Sequence, residues 1–172
     1  MNQNEAFNRI CRLFEAERVE FRVLDHPPCR TSKESAAARA QAGAPEAVGA
    51  KAVLCRMEFY DRHAEYNVLV LPGPSRVDTR ALKSVLPDLR RYRFATVDEM
   101  QTLCHLSPGA MPPFAQSVFP QLNHLYVDRS LLDHDLIGFN AGSHERSIVV
   151  RSQDYIRAAL PTAILDYAAQ CS

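Results

Sequence analysis

The sequence predicts an α/β (α+β) fold, a single mixed and barrel-like β-sheet surrounded by helices. Three observations carry that expectation. Segments with the two-residue alternation of strands are interleaved with segments of helical spacing along the whole chain. Two of the strand-like segments, about 50–59 and 65–71, are separated by Asp61-Arg62-His63 and read as a hairpin, so hairpins and helices are mixed in one order. The 172 residues show no repeat, low-complexity tract or interdomain linker, which suits one domain spanning 1–172 with a sizeable core.

The elements follow in order. Residues 3–18 place Phe7, Ile10, Cys11 and Phe14 on one stripe of an amphipathic helix. Phe21-Arg22-Val23-Leu24-Asp25 reads as a strand, stopped by His26-Pro27-Pro28. Thr31-Ser32-Lys33-Glu34 is a capping box that opens an Ala-rich helix to about Gln41, and Gly43-Ala44-Pro45 breaks it. The predicted hairpin follows, then a turn at Leu71-Pro72-Gly73-Pro74. Asp78 can cap a helix over about 79–86, and Arg91-Tyr92-Arg93-Phe94 is a short strand. Thr96-Val97-Asp98-Glu99 is a second capping box, starting a helix to about Cys104. Prolines keep the segment from Leu106 to Phe114 irregular. Strands are expected near 123–128, 136–140 and 146–150. Ser152 is expected to cap a last helix, which Pro161 kinks or restarts toward the C-terminus.

Charge and composition narrow the function. Twenty basic residues balance twenty acidic ones, so no global field attracts nucleic acid or an anionic membrane, and a polyanionic partner must be met by a local patch. The first residues lack the basic start and apolar block of a signal peptide, and the apolar runs are too short to cross a bilayer. Cys11, Cys29, Cys55, Cys104 and Cys171 form no CxxC pair, which points to reduced thiols and a cytoplasmic location. The six histidines are dispersed without zinc-site spacing, so no metal is expected. GxSxG, phosphate-loop and dinucleotide glycine patterns are absent, and no cofactor is expected.

Four features carry candidate chemistry. In extended geometry Lys51 shares a strand face with Val53, Cys55, Met57 and Phe59, so a lone cation points the same way as apolar side chains. It is either an end-of-strand lysine whose head reaches water or an ammonium held for an anion or a reacting ester. Gly109 to Pro113, with Ala110 and Met111 between, spells GxxxP. Glycine permits close approach of backbone to a ligand and proline fixes the chain that follows, so the loop can aim N–H groups at an oxyanion, or be an ordinary surface loop. Asn140, Ala141, Gly142, Ser143 and His144 concentrate polar groups between two strands, as a binding wall or as a plain hairpin turn. Arg76, Arg80, Lys83, Arg90, Arg91 and Arg93 with Tyr92 form a basic cluster, suited to a phosphate backbone or to a solvated face.

In order and spacing, these pieces resemble the YbaK/prolyl-tRNA synthetase-associated domain family of aminoacyl-tRNA editing proteins. The resemblance runs from about Phe21 to Tyr155. It takes in His26-Pro27, the capped helix at Thr31, Gly49-Ala50-Lys51, Leu69-Val70-Leu71-Pro72-Gly73, Asp78 with Leu82, and Thr96-Val97-Asp98-Glu99. Ser107-Pro108-Gly109 through Pro113-Phe114, Val127-Asp128-Arg129-Ser130-Leu131 and Asn140-Ala141-Gly142-Ser143 complete the series.

The resemblance implies a mixed, barrel-like sheet with helices around it and hydrolysis of the ester of mischarged tRNA, without a metal. It implies that Lys51 is the essential residue, that the Gly109–Pro113 loop offers backbone groups to the substrate, and that the 2′-hydroxyl of the terminal adenosine assists attack by water. Asn140, Gly142, Ser143 and His144 would shape the wall around the amino acid or ribose, with Arg90, Arg91 and Arg93 on the tRNA. The acceptor end of a mischarged tRNA is then the partner, with a synthetase or elongation factor as the protein that could deliver it. Two departures bear on specificity: the residue after the lysine, often polar in the family, is Ala52, and the loop carries Met111 and an extra Pro112. Alanine and serine esters both suit such a pocket. A silent tRNA- or nucleotide-binding relative, and a hydrolase of another small acyl ester, are the alternatives.

Overall fold

Val68, Leu69, Val70 and Leu71 are all fully buried, so consecutive residues of one strand face two different cores. The rest of the fold is arranged around that strand. The computed structural model describes residues 3–170; Cys171 lies outside them. The elements are α1 (Gln3–Ala16), β1 (Phe21–Asp25), α2 (Ser32–Gln41), β2 (Val48–Phe59), β3 (Glu65–Pro72), β4 (Ser75–Val77), α3 (Thr79–Val85), β5 (Leu89–Phe94), α4 (Val97–Cys104), β6 (Leu125–Asp128), β7 (Leu136–Asn140), β8 (Arg146–Arg151), α5 (Ser152–Ala159), β9 (Ala163–Leu165) and β10 (Ala168–Gln170).

Among the described residues, eight strands form a mixed sheet in the order β1-β8-β7-β2-β3-β6-β9, with β5 branching from β2, while β4 and β10 pair separately. The mixed α/β architecture is the one expected. On one side of β2 and β3, Leu54, Val68 and Val70 join Ile10, Phe14, Phe114, Phe139 and Tyr155 in the larger core. On the other, Cys55, Met57, Phe59, Leu69 and Leu71 meet Leu82, Tyr126 and Tyr167. The face assigned to Lys51 is thus a buried one. No helix of the described residues is long and apolar enough to cross a membrane.

Local signals fix most boundaries. Both capping boxes form: Thr31 accepts from the Glu34 amide at 3.2 Å, and Thr96 from that of Glu99 at 3.1 Å. Asp78 caps α3 through the amides of Arg80 and Ala81. The C-terminal helix departs from expectation. Arg151, not Ser152, is the N-cap and makes no side-chain cap, and the helix stops at Leu160 in a left-handed conformation instead of resuming after Pro161. Tertiary bonding decides the segment that follows. β9 lies parallel to β6, and β10 pairs with β4, a strand not foreseen beyond the turn at Pro72. Asp128 accepts from the amides of Tyr167 and Ala168, both at 2.7 Å, and the Tyr167 hydroxyl accepts from Val70 N at 3.0 Å. An apolar run as short as Ala163-Ile164-Leu165 has no strong preference of its own, and these anchors make it a strand.

Candidate active site

The sheet leaves a gap beside Lys51. β3 pairs with β2 from Ala50 to Met57 along one edge. On the other edge β7 runs parallel at Val48 and Gly49, and β5 runs antiparallel from Cys55 onward. Between β7 and β5 that edge is open, and there a cavity of about 450 Å³ is lined by Lys51, Ala52, Gly109, Met111 and Asn140, the size of a small-ligand site. Five of the residues named from the sequence therefore meet in one place.

Lys51 is half-buried, and its Nζ donates to Gly73 O at 3.4 Å and to Ser75 O. Those carbonyls belong to the turn that leaves β3 and to the first residue of β4, and the turn is clasped to β2 by a 2.7 Å bond from Gly73 N to Gly49 O. The ammonium is oriented by backbone before any ligand arrives.

The GxxxP loop is held at several points. Asn140 Nδ2 donates to Gly109 O at 2.8 Å, Gly142 N to Ala110 O at 3.1 Å, and the Tyr155 hydroxyl to Pro113 O at 2.6 Å. Ala110 N is taken by Ser107 O, whereas the amides of Gly109 and Met111 have no hydrogen-bond partner among the described residues. Ala110 and Pro113 are buried behind the lining. Gly142 and Ser143 also lie outside it. His144 acts as a brace: its Nδ1 is 2.9 Å from Cys29 O, a group that only accepts, so Nδ1 carries the proton and Nε2 accepts from Ser107 Oγ at 2.9 Å. This ties the start of the loop to the segment after β1.

Several cavity residues were missed, Arg39 and Ser35 among them. Arg39 of α2 is only 2% exposed, and among the described residues no carboxylate pairs with it and its Nε has no partner. Burial lowers its pKa. Nη1 lies 3.5 Å from Ser147 Oγ, which donates to Asn140 Oδ1 at 3.2 Å, so Arg39 is linked through Ser147 and Asn140 to the Gly109 carbonyl. Gly49 and Gly138, register partners in β2 and β7, make room for it: a Cβ at Gly138 would sit 2.6 Å from Arg39 Cδ, and one at Gly49 2.9 Å from Nη2. Glycines inside strands signal such a close approach, but not what approaches.

The basic cluster is partly neutralised by residues distant in sequence. Arg91 pairs with Glu58 and Arg93 with Glu99, while Arg90 is exposed and makes no ion pair among the described residues. Hydrogen bonds from Arg91 and then Arg56 lower the Glu58 pKa from 4.5 to about 2. A carboxyl depressed on folding stabilises the native state above its ordinary pKa and stops doing so as pH falls through the folded value. The melting temperature should therefore drop between pH 4.5 and about 2, less steeply in Glu58→Gln, as a pH series of thermal melts will read.

Fold and cavity together define an α/β protein with a cleft into which cationic side chains, Lys51 and Arg39 among them, are gathered. The family model described as "Aminoacyl-tRNA editing domain" matches residues 26–158, and the chain belongs to that family. The enzyme is an aminoacyl-tRNA deacylase of the editing class, as the resemblance implied. A curated relative is the Multifunctional Ser/Thr-tRNA deacylase ProXp-y of Escherichia coli K12, 29% identical over 157 residues that cover 91% of this chain and 89% of the relative. Among solved structures, hypothetical protein APE2540 superposes with a TM-score of 0.73 at 21% identity, over 94% of this chain and 99% of that one. A protein described as a candidate trans-editing enzyme for prolyl tRNA synthetase gives 0.71 at 18% identity, over 95% and 97%. At those identities the two structures speak for the fold.

Proposed function

We propose that this deacylase works in trans in the cytoplasm, removing a small hydroxyl-bearing amino acid from a mischarged tRNA presented by a synthetase or elongation factor. The observation that carries the reading is the meeting of Lys51 and the GxxxP loop on one cavity at the open edge of β2.

An aminoacyl ester is already activated, so positioning and charge stabilisation suffice without a strong protein nucleophile. Water attacks the ester carbon, its oxygen forms the new C–O bond, and the C–O bond to the ribose breaks. The ribose oxygen leaves as a hydroxyl with a proton from the attacking water, and the 2′-hydroxyl assists the transfer. The amides of Gly109 and Met111 are the candidate donors to the oxyanion. Lys51 is a fixed point charge on the nucleotide end or its ester.

Arg39 adds a second cation with no carboxylate partner, and the RNA or the developing oxyanion supplies the balancing charge. Replacing a buried ion pair by apolar side chains of similar volume is often neutral or stabilising by about 1–4 kcal/mol, and a buried cation without a carboxylate partner gives up still less. Arg39→Met should thus melt no lower than the wild type while deacylating more slowly, and a wild-type rate counts against any part for Arg39.

Buried Ser35 and Asn140 also line the cavity, giving a hydroxyl side chain polar neighbours that alanine cannot use. A site built to bond a hydroxyl rejects the analogue lacking it more strongly than an apolar pocket separates two sizes. The name of the curated relative agrees with that preference. Deacylation rates across alanyl-, seryl-, cysteinyl- and threonyl-tRNAs test it. Seryl and threonyl esters should turn over fastest, and no ester loss above the buffer rate on any of them overturns the reading.

A further inference from the structure

Phe94, the last residue of β5, is 58% exposed although it borders the main cavity. It also lines a second groove of about 310 Å³ between α3 and β5, together with Thr79, Lys83, Arg91, Tyr92 and Arg93. Phe94 therefore borders both the cavity and the groove. Register sets its direction: Phe94 is opposite Cys55 and Tyr92 opposite Met57, so both rings stand on the face of β2 that carries Lys51. Their centroids are 6.5 Å apart, and the Tyr92 hydroxyl is fixed 3.0 Å from Thr79 Oγ1.

The groove lining contains three cations and no acidic residue. Glu58 and Glu99 pair with Arg91 and Arg93, which leaves Lys83 as the lining cation with no ion pair among the described residues. A cationic track with exposed aromatic rings is how proteins hold single-stranded nucleic acid: bases stack on the rings while phosphates follow the charges. A folded peptide or a lipid surface would not need both.

We infer that this groove is the exit path of the single-stranded RNA end whose terminal nucleotide occupies the cavity, with a base stacked on Phe94 and the backbone phosphate running past Lys83. The inference rests on the deacylase reading and extends it to a part of the surface that takes no part in ester chemistry. Continuity through Phe94 and charge complementarity support it.

The test is binding of an unacylated RNA hairpin ending in a single-stranded CCA. The chain contains no tryptophan, so Phe94→Trp introduces the only indole, at the proposed stacking position. Its emission should be quenched by the CCA-ended hairpin and not by a blunt one. Phe94→Ala should bind roughly five- to hundred-fold more weakly and raise KM for mischarged tRNA, with kcat and the melting temperature unchanged. Phe94→Leu, apolar but not aromatic, should behave like the alanine variant. Lys83→Gln should make the log–log salt dependence shallower by about one unit. Unquenched emission, with Phe94→Ala matching wild type in affinity and KM, overturns the path and leaves the deacylase intact. A wild-type chain that neither binds the hairpin nor deacylates any mischarged tRNA overturns both.

Discussion

Lys51→Ala is expected to lower kcat for deacylation of mischarged tRNA by about 10²–10³-fold, the loss typical of removing one group that stabilises the oxyanion. The geometry makes this a test of chemistry more than of folding. The ammonium is half-buried and donates to Gly73 O and Ser75 O, carbonyls of the turn after β3 and of the start of β4. Losing those bonds costs about 1–3 kcal/mol. The turn keeps its clasp from Gly73 N to Gly49 O, and β2 keeps its ladder with β3, so the variant should remain folded. Single-turnover rates beside thermal melts separate the two effects. A wild-type-like rate in a well-folded variant would remove Lys51 from the mechanism. Lys51→Arg is the useful companion: it keeps the charge but replaces a compact head by a planar fork, and should recover only part of the rate.

Gly109→Ala should be nearly as damaging, for a different reason. Gly109 has a φ of +88°, and an added Cβ would lie 2.9 Å from Arg30 O and 3.2 Å from His144 Cε1. The first of these is backbone and cannot swing aside. The left-handed conformation alone costs an alanine about 1–2 kcal/mol, and the clash must push the loop away from Arg30. A displacement of about 1 Å at a reacting centre can cost on the order of 10²-fold in rate. Both a lower melting temperature and a strongly reduced kcat are therefore expected. Gly43→Ala supplies the control, since Gly43 has a φ of +92° with nothing within 4 Å of the new Cβ. It should show the conformational cost without loss of rate. If the two variants lose activity equally, close approach at Gly109 is not what matters.

What could be read in advance follows the range of the interactions involved. Thr31, Asp78 and Thr96 bond to amides two or three residues away, so their helices were legible. The face of Lys51 was legible because alternation along one strand fixes it, whereas its part in a site, like that of Gly109, was implied only by the family resemblance. Arg39 was not legible, because its setting is built from Gly49, Gly138 and Ser147, brought together by strand pairing. In sequence it is one charged residue in an Ala-rich helix. The carboxylates that pair with Arg91 and Arg93 were hidden for the same reason, as was the strand Ala163–Leu165, whose conformation comes from β6 beside it. His144 was legible as a residue of interest, but its bonding to Cys29 and Ser107 emerged only in three dimensions.

The hairpin of β2 and β3, packed on both sides, has a consequence for how such a protein diversifies. A wall clamped between two cores cannot drift without unfolding the molecule, so the lysine it carries is a fixed landmark. The opposite wall is a proline-stiffened loop fastened by a few hydrogen bonds, and a side chain that lines the cavity there, such as Met111, can change without breaking a strand. New amino-acid preferences should therefore arise by exchanging Met111 while Gly109, the buried Phe114 and the strand stay as they are.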